Sequence, residues 1–407
     1  MKIGHDHRRQ LGRGLAIMTI TMGGGSGQIL LSPFLRSQHK DPVMIGALVA
    51  VVAVASLAIR IPGGLLYSRT RARPLLLGSL AMCALAFSLY PVTANPGLLA
   101  VIGVVYGTGF SVATTVNMAA TIESLRPGEN RGRAITLYAA GMSTGYALGS
   151  LIGGAAGDHF GFDGAYRLAA GMFLIAVLPL FGRNIESSEP LEASRSVTER
   201  SQGWRRAQSF GLALLDAHVL FVILGAFLIN VYLVQFNTFL PLTLLPLGFA
   251  LAQIGLIRSV WSLTNTAGRT LAQPIVSVLG HHRTQHFGLT LQAAMLMLFF
   301  LPLPMVALLG VTVAAAWGRA ICFVANTLAL ADIDPRRLSR GVASGVMNAA
   351  GDLGNIVGPL VGGILAGAVG LQGFWLVTPP LCLAVYYALL LAIGRLQVVA
   401  DRPALAT

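Results

Sequence analysis

Residues 131–154, RGRAITLYAAGMSTGYALGSLIGG, and residues 340–363, RGVASGVMNAAGDLGNIVGPLVGG, are two versions of one pattern set 209 positions apart. At that offset Arg131 matches Arg340, Gly132 matches Gly341, Gly145 matches Gly354, Gly149 matches Gly358, Gly153 matches Gly362 and Gly154 matches Gly363. Carried backwards without a gap, the register pairs Ile45 with Ile254, Gly46 with Gly255, Arg60 with Arg269, Ser68 with Ser277 and Gly109 with Gly318. It also pairs Asn117 with Asn326 and Glu123 with Asp332. A chain that repeats itself over more than a hundred positions in one orientation is two parallel copies of one unit.

The composition says where those copies live. Only 11% of the residues are charged and 55% are hydrophobic, whereas a soluble domain carries about a quarter charged residues. Twelve apolar runs near span length follow one another: 14–35, 43–67, 74–94, 97–122, 133–157, 164–182, 217–245, 250–276, 285–303, 306–330, 341–367 and 373–394. The fold class is therefore an all-α membrane protein with twelve transmembrane helices in two pseudo-symmetric six-helix bundles. The expected division is 1–182 for the first half, 183–216 for a polar linker and 217–407 for the second half. The N-terminal Lys2, Arg8, Arg9 and Arg13 look like a secretion signal, but the run behind them is span-length with no small-residue cleavage site and is kept as the first helix. Cys83, Cys322 and Cys382 all sit inside apolar runs, so no disulfide framework is indicated.

With the N-terminus inside, one set of connections holds Arg69, Arg71, Arg73, Arg126, Arg131, Arg133, Arg195, Arg200, Arg205, Arg206, Arg336, Arg337 and Arg340. The other set holds only Arg36, Lys40 and Arg167. This asymmetry predicts both termini in the cytoplasm of a cell inner (plasma) membrane. It also reads the net charge of +13 as attraction to an anionic lipid surface and not to nucleic acid. No phosphate-cradling Gly-rich loop and no metal-ligand cluster is seen, so neither ATP hydrolysis nor a cofactor is expected, and no enzyme activity.

Twelve helices arranged six plus six, duplicated in parallel around a central linker, resemble the major facilitator superfamily over essentially the whole chain. The superfamily's signature between spans 2 and 3, G-x-x-x-D-R-x-G-R-R, is similar to Gly64, Ser68, Arg69 and Arg71, with serine in place of the acid and arginine in place of the second glycine. Its exporter-associated ladder in span 5 is similar to Gly141, Gly145, Gly149, Ser150, Gly153 and Gly154, with serine where proline is expected; span 11 keeps the proline as Pro359. The resemblance implies alternating access around a site between spans 1, 4, 7 and 10, with 5, 8 and 11 at the sides.

Within the spans, ionisable groups are expensive and mark function. Arg319 in span 10 and Asp352 in span 11 both lie near mid-membrane by helix rise, and in the resembled fold they are expected to pair. Arg319 then attracts an anionic or carbonyl-bearing substrate while Asp352 holds the arginine in place or takes up a proton in exchange; the alternative is a static structural pair. Arg258, Trp261 and Asn265 share a face of span 8, where Arg258 either widens a positive cavity or, the favoured reading, snorkels to the headgroups. Asn230 and Asn237 share a face of span 7 with Gln235 offset, Gln28 is the repeat mate of Asn237, and Asn348 and Asn355 flank Asp352. The amides of spans 1 and 7 bind either substrate or a neighbouring helix, those flanking Asp352 are placed to orient its carboxylate, with Asn355 also a substrate contact, and Asn117 and Asn326 read as structural.

Arg60 with Glu123, and Arg269 with Asp332, are expected to form one brace per half that makes and breaks as the halves rock; Ser68 and Arg69 belong to the same gate. Gly145, Gly149, Gly153, Gly354, Gly358, Pro359 and Gly362 read as helix-packing positions. Gly23, Gly24, Gly25, Ser26 and Gly27 either unwind span 1 or pack it tightly, packing being favoured. His281, His282 and His286 read as solvated loop residues. The leading expectation is a monomeric proton-coupled exporter of a small anionic or zwitterionic solute. An importing symporter or facilitator, and a non-transporting sensor or assembly protein of the same fold, are the alternatives.

Overall fold

The computed structural model describes residues 2–66, 68–123, 131–178, 217–332 and 340–400; the expected linker at 183–216 lies outside them. Helices α1 (Lys2–Ser37), α2 (Pro42–Leu66), α3 (Arg69–Leu89) and α4 (Pro96–Glu123) open the first half. The run Arg131–Ile175 is broken only at Gly161, whose φ of 66° is left-handed, so its limbs 131–160 and 162–175 are α5 and α6. The second half has α7 (Ala217–Leu244), α8 (Leu251–Leu279), α9 (His281–Met297) and α10 (Met305–Ala331). Its last run, Arg340–Ala400, breaks in the same way at Gly370, at φ 77°, into α11 (340–369) and α12 (371–400). Gly161 and Gly370 are repeat mates. Ser26 shows that α6 folds back along α5, since its Oγ lies 2.8 Å from the Gly149 carbonyl oxygen and 3.3 Å from the Met172 sulfur.

The twelve expected spans correspond to these helices. Seven helical segments, covering α1–α4, α7, α10 and α11 with α12, are long and apolar enough to cross a membrane by length and composition. Of the other four helices, α9 at 17 residues and the α6 limb are too short, and α8 carries Arg258 and Arg269 within it. Ser68 explains why α3 starts earlier than its apolar run: its Oγ caps the helix by accepting the Arg71 N–H at 3.3 Å. Ser68 thus serves as a helix cap, and the Arg69 side chain lies outside the described residues.

The glycine ladders are packing faces. A Cβ on Gly145 or Gly149 would strike the Met18 or Met22 carbonyl of α1, and one on Gly153 would strike Ser26. In the second half, Gly354 meets the Phe227 carbonyl of α7, Gly358 meets the Val234 side chain and the Val231 backbone, and Gly362 meets the Phe239 ring. Met18 and Phe227 are repeat mates, as are Met22 and Val231, so one helix contact has been built twice. The glycines at 23–27 also serve packing. α1 stays helical through them, and Gly23, Gly24, Gly25 and Gly27 sit against Phe173, Phe110, Tyr146 and Phe87.

The two halves meet along two seams, α2 with α11 and α5 with α8. On the first, Gly46 abuts the Pro359 carbonyl and Gly363 that of Pro42; on the second, Gly255 abuts the Ser150 carbonyl and Gly154 that of Leu251. Each contact is the repeat mate of its counterpart, a pseudo-two-fold axis written in four glycines. Asp158 reinforces the second seam by accepting the Leu251 and Ala252 N–H groups, at 3.0 and 2.8 Å, at the start of α8. All these contacts lie towards the end of the bundle opposite the chain termini, which they close.

Because the opposing atoms are backbone, a side chain at Gly46 or Gly255 has nowhere to go. Gly46→Val and Gly255→Val are each expected to disfavour this closed end by about 1–3 kcal/mol, read as longer spin-label distances across it. Gly310→Ala, which would meet nothing within 4 Å, should leave them unchanged.

Candidate functional site

Between the halves lies a cavity of about 760 Å³. It is shut at the far end by the seams and open towards the terminal end, where Arg60 and Asn348 line it and are exposed. Its walls repeat. Gln28 and Asn237, Val49 and Arg258, Val52 and Trp261, Arg60 and Arg269, Phe110 and Arg319, Ser143 and Asp352, and Tyr146 and Asn355 are repeat mates, and both members of each pair line it. The backbone is thus pseudo-symmetric while the chemistry is not. The first half presents Val49, Val52, Phe110 and Tyr146 where the second presents Arg258, Trp261, Arg319 and Asn355.

Of the residues expected to bind substrate, Gln28, Asn237, Arg258, Trp261, Arg319, Asp352 and Asn355 line this cavity. Asn230 stands behind Arg319, holding its guanidinium with Oδ1 at 3.3 Å and donating to the Ala226 carbonyl at 2.8 Å. Gln235 donates to the Gly358 carbonyl at 3.3 Å, and Asn326 to the Val222 carbonyl at 3.0 Å, so both tie helices together.

The expected Arg319–Asp352 pair is not formed. Arg319 donates to the Ile229 carbonyl and to Asn230 on α7, and Asp352 pairs with Arg60 across the α2–α11 seam. The reason is packing: the glycine face of α11 is committed to α7, which turns Asp352 towards α2 and away from α10. Nor is the expected Arg269–Asp332 brace formed. Arg60 spans the halves. Arg269 lies over the Phe323 ring, its Cζ 3.9 Å from the centroid, and Asp332 faces His281 at 3.4 Å. The side chain of Glu123 lies outside the described residues.

Arg258 does not snorkel. It is 5% exposed, lies in the cavity wall, and donates from Nη2 to Gln28 Oε1 at 3.4 Å. Trp261 stacks on Phe236, with ring centroids 4.1 Å apart, and lines the cavity.

The electrostatics are one-sided. Four arginines and one carboxylate line the cavity, and among the described residues that carboxylate pairs only with Arg60. Arg258 Nε and Nη1, Arg269 Nε, Arg319 Nε and Trp261 Nε1 are buried donors without a hydrogen-bond partner. Orphaned buried donors are costly, so acceptor atoms would be favoured beside them; Asn265 Oδ1 is an unpartnered acceptor in the same wall.

The histidines are not simply solvated. His218, His281 and His282 converge where α7 and α9 begin, and His286 packs on the Tyr387 ring at 5.4 Å. Burial, and then the neighbouring imidazoles of His281, His218 and His286, hold the His282 pKa below the usual histidine value.

Tyr106, Phe110, Tyr138, Tyr146 and Phe323 also line the cavity and did not stand out in the sequence, because aromatic residues in an apolar span read as core. Their signal lay in the repeat, where Phe110 and Tyr146 occupy the columns of Arg319 and Asn355.

The Major Facilitator Superfamily matches this chain over residues 14–305 and 245–405. The chain belongs to the major facilitator superfamily. It is an integral membrane protein with the twelve-helix fold of the superfamily's secondary transporters. Its fold is similar to that of the nucleoside transporter NupG, at 14% identity and TM-score 0.74 over 95% of this chain and 98% of that one. It is also similar to a bacterial homologue of the human lysosomal transporter Spinster in an inward-facing, occupied conformation, at 15% identity and TM-score 0.76 over 96% of this chain and 97% of that one. No curated protein matches the sequence.

Proposed function

We propose that this member of the superfamily moves a small amphipathic organic anion by alternating access, exporting it in exchange for protons. The observation that carries the reading is the set of three cavity arginines, Arg258, Arg269 and Arg319, with no carboxylate at ion-pair distance among the described residues. The anionic head lies against Arg258 and Arg319 with Trp261, Asn237 and Asn355 around it. Its apolar body lies against Phe110, Tyr106 and Tyr146 from the first half. Guanidinium forks match carboxylate and phosphate oxygens two at a time, which suits either head group.

With both termini cytoplasmic, as the arginine-rich connections argue, the conformation described here is inward-facing, with the site open to the cytoplasm. The glycine ladder of α5 favours export, since the resemblance associates that ladder with exporters. Asp352, the only carboxylate lining the cavity among the described residues, is the proton carrier, and its Arg60 pair links protonation to the contact between the halves.

The test is a thermal-shift screen of the purified protein against organic anions, organic cations and neutral solutes of matched size. Stabilisation confined to anions, and greatest for those with an aromatic or apolar body, is the expected result. Stabilisation by cations or neutral solutes alone would overturn the reading, and flux absent from vesicles for every binding anion would leave a sensor in place of a carrier.

A further inference from the structure

We propose that His218, His281 and His282 hold one divalent transition-metal ion, Zn²⁺ being the probe of choice, at the terminal end of the second half and apart from the cavity. One ligand atom from each lies within 4.8 Å of the other two, and the ring centroids are 4.4–5.4 Å apart. Zn–N bonds of about 2.0–2.1 Å in a tetrahedron need donor atoms roughly 3.4 Å apart. Small rotations of the rings supply that closure, since His282 is exposed and the other two are only partly buried.

His281 carries the second observation. Its Nδ1 faces the Asp332 carboxylate at 3.4 Å, while its Nε2 is buried without a hydrogen-bond partner. A carboxylate on one ring nitrogen fixes the tautomer and leaves the other as a metal donor, the arrangement found behind metal-bound histidines. Three imidazoles with no thiolate suit Zn²⁺, Ni²⁺ or Cu²⁺ and not Mg²⁺ or Ca²⁺, and three protein ligands leave a position for water.

The bound ion would tie the starts of α7 and α9 together and, through Asp332, the end of α10. It would therefore stiffen the second half where the chain enters it from the first. This is independent of the transported solute, because none of the four residues lines the cavity.

The experiment is a Zn²⁺ titration of tag-free, chelator-treated full-length protein in detergent, followed by calorimetry and thermal unfolding. One equivalent should bind and raise the melting temperature, and Mg²⁺ should do neither. His218→Ala, His281→Ala and His282→Ala should each lose the site, and His282→Ala should do so while keeping the metal-free melting temperature, because His282 is exposed. Asp332→Asn should bind about tenfold more weakly, and His286→Ala should behave as the parent. No saturable Zn²⁺ binding, or binding unchanged in His281→Ala and His218→Ala, would overturn the assignment.

Discussion

Arg319→Ala is expected to weaken binding of the transported anion by at least about 30-fold, with folding retained. Truncating one partner of a buried, hydrogen-bonded charge pair costs about 2–5 kcal/mol, and 1.4 kcal/mol is a tenfold change. Arg319 is 6% exposed, so solvent screens it little, and Asn230 holds its fork in place. Part of any loss is structural, since alanine leaves the Ile229 carbonyl without the donor it now has. Arg319→Lys separates the two effects: it keeps the charge and a donor but loses the paired N–H geometry. The expected order is parent, lysine, alanine, read by calorimetry on detergent-purified protein that elutes as a single species. Arg258→Ala should fall in the same range as Arg319→Ala. Arg269→Ala should be milder, because its guanidinium rests on Phe323 and not on a polar holder. An anion that binds Arg319→Ala within threefold of the parent would remove the basis for the proposed solute class.

The fold was readable in the sequence because membrane burial demands long apolar runs and duplication leaves a fixed register. Gly145 with Gly354 and Gly149 with Gly358 show both at once. The residues of the site were largely readable too, since Arg258, Arg319 and Asp352 cost too much in an apolar span to be incidental. Their partners were not. Whether Asp352 faces Arg319 or Arg60 depends on the rotation of α11, and that rotation follows from how the Gly354 and Gly358 face seats on α7. Arg258 was misread for a related reason: two turns in from a helix end, depth alone does not say whether a side chain points at lipid or at a cavity. The repeat resolves such cases better than depth does, because Val49 and Arg258 occupy equivalent columns and both face inwards.

Asp352→Asn is expected to abolish accumulation driven by a pH gradient in vesicles while leaving solute exchange at equal concentrations intact. The pair it disrupts contributes little to stability, because the Arg60 side chain is 45% exposed and that of Asp352 14% exposed, and partly exposed pairs of this kind are worth about 0–1 kcal/mol. A large loss of driven transport in a protein that still folds and still exchanges therefore has to come from the missing proton site. Asparagine keeps a side-chain oxygen for Arg60, so the geometry of the seam survives while the titratable group does not. Arg60→Ala reports the other half of the mechanism. It leaves the acid in place but removes the charge that crosses between the halves, so driven transport should fall with exchange less affected. The seams make the assignment sharper. At the mate of Asp352 the first half has Ser143, which accepts the Ser262 hydroxyl at 2.9 Å through its carbonyl, and Arg269 faces no carboxylate among the described residues. Asp158, the acid on the other seam, sits at the closed end on backbone N–H groups, so among the described residues only Asp352 joins an arginine across the halves at the cavity, and this one residue should control coupling. Undiminished gradient-driven accumulation in Asp352→Asn would show that the carrier is not coupled to protons through this carboxylate. Loss of exchange together with accumulation would assign Asp352 to solute binding instead.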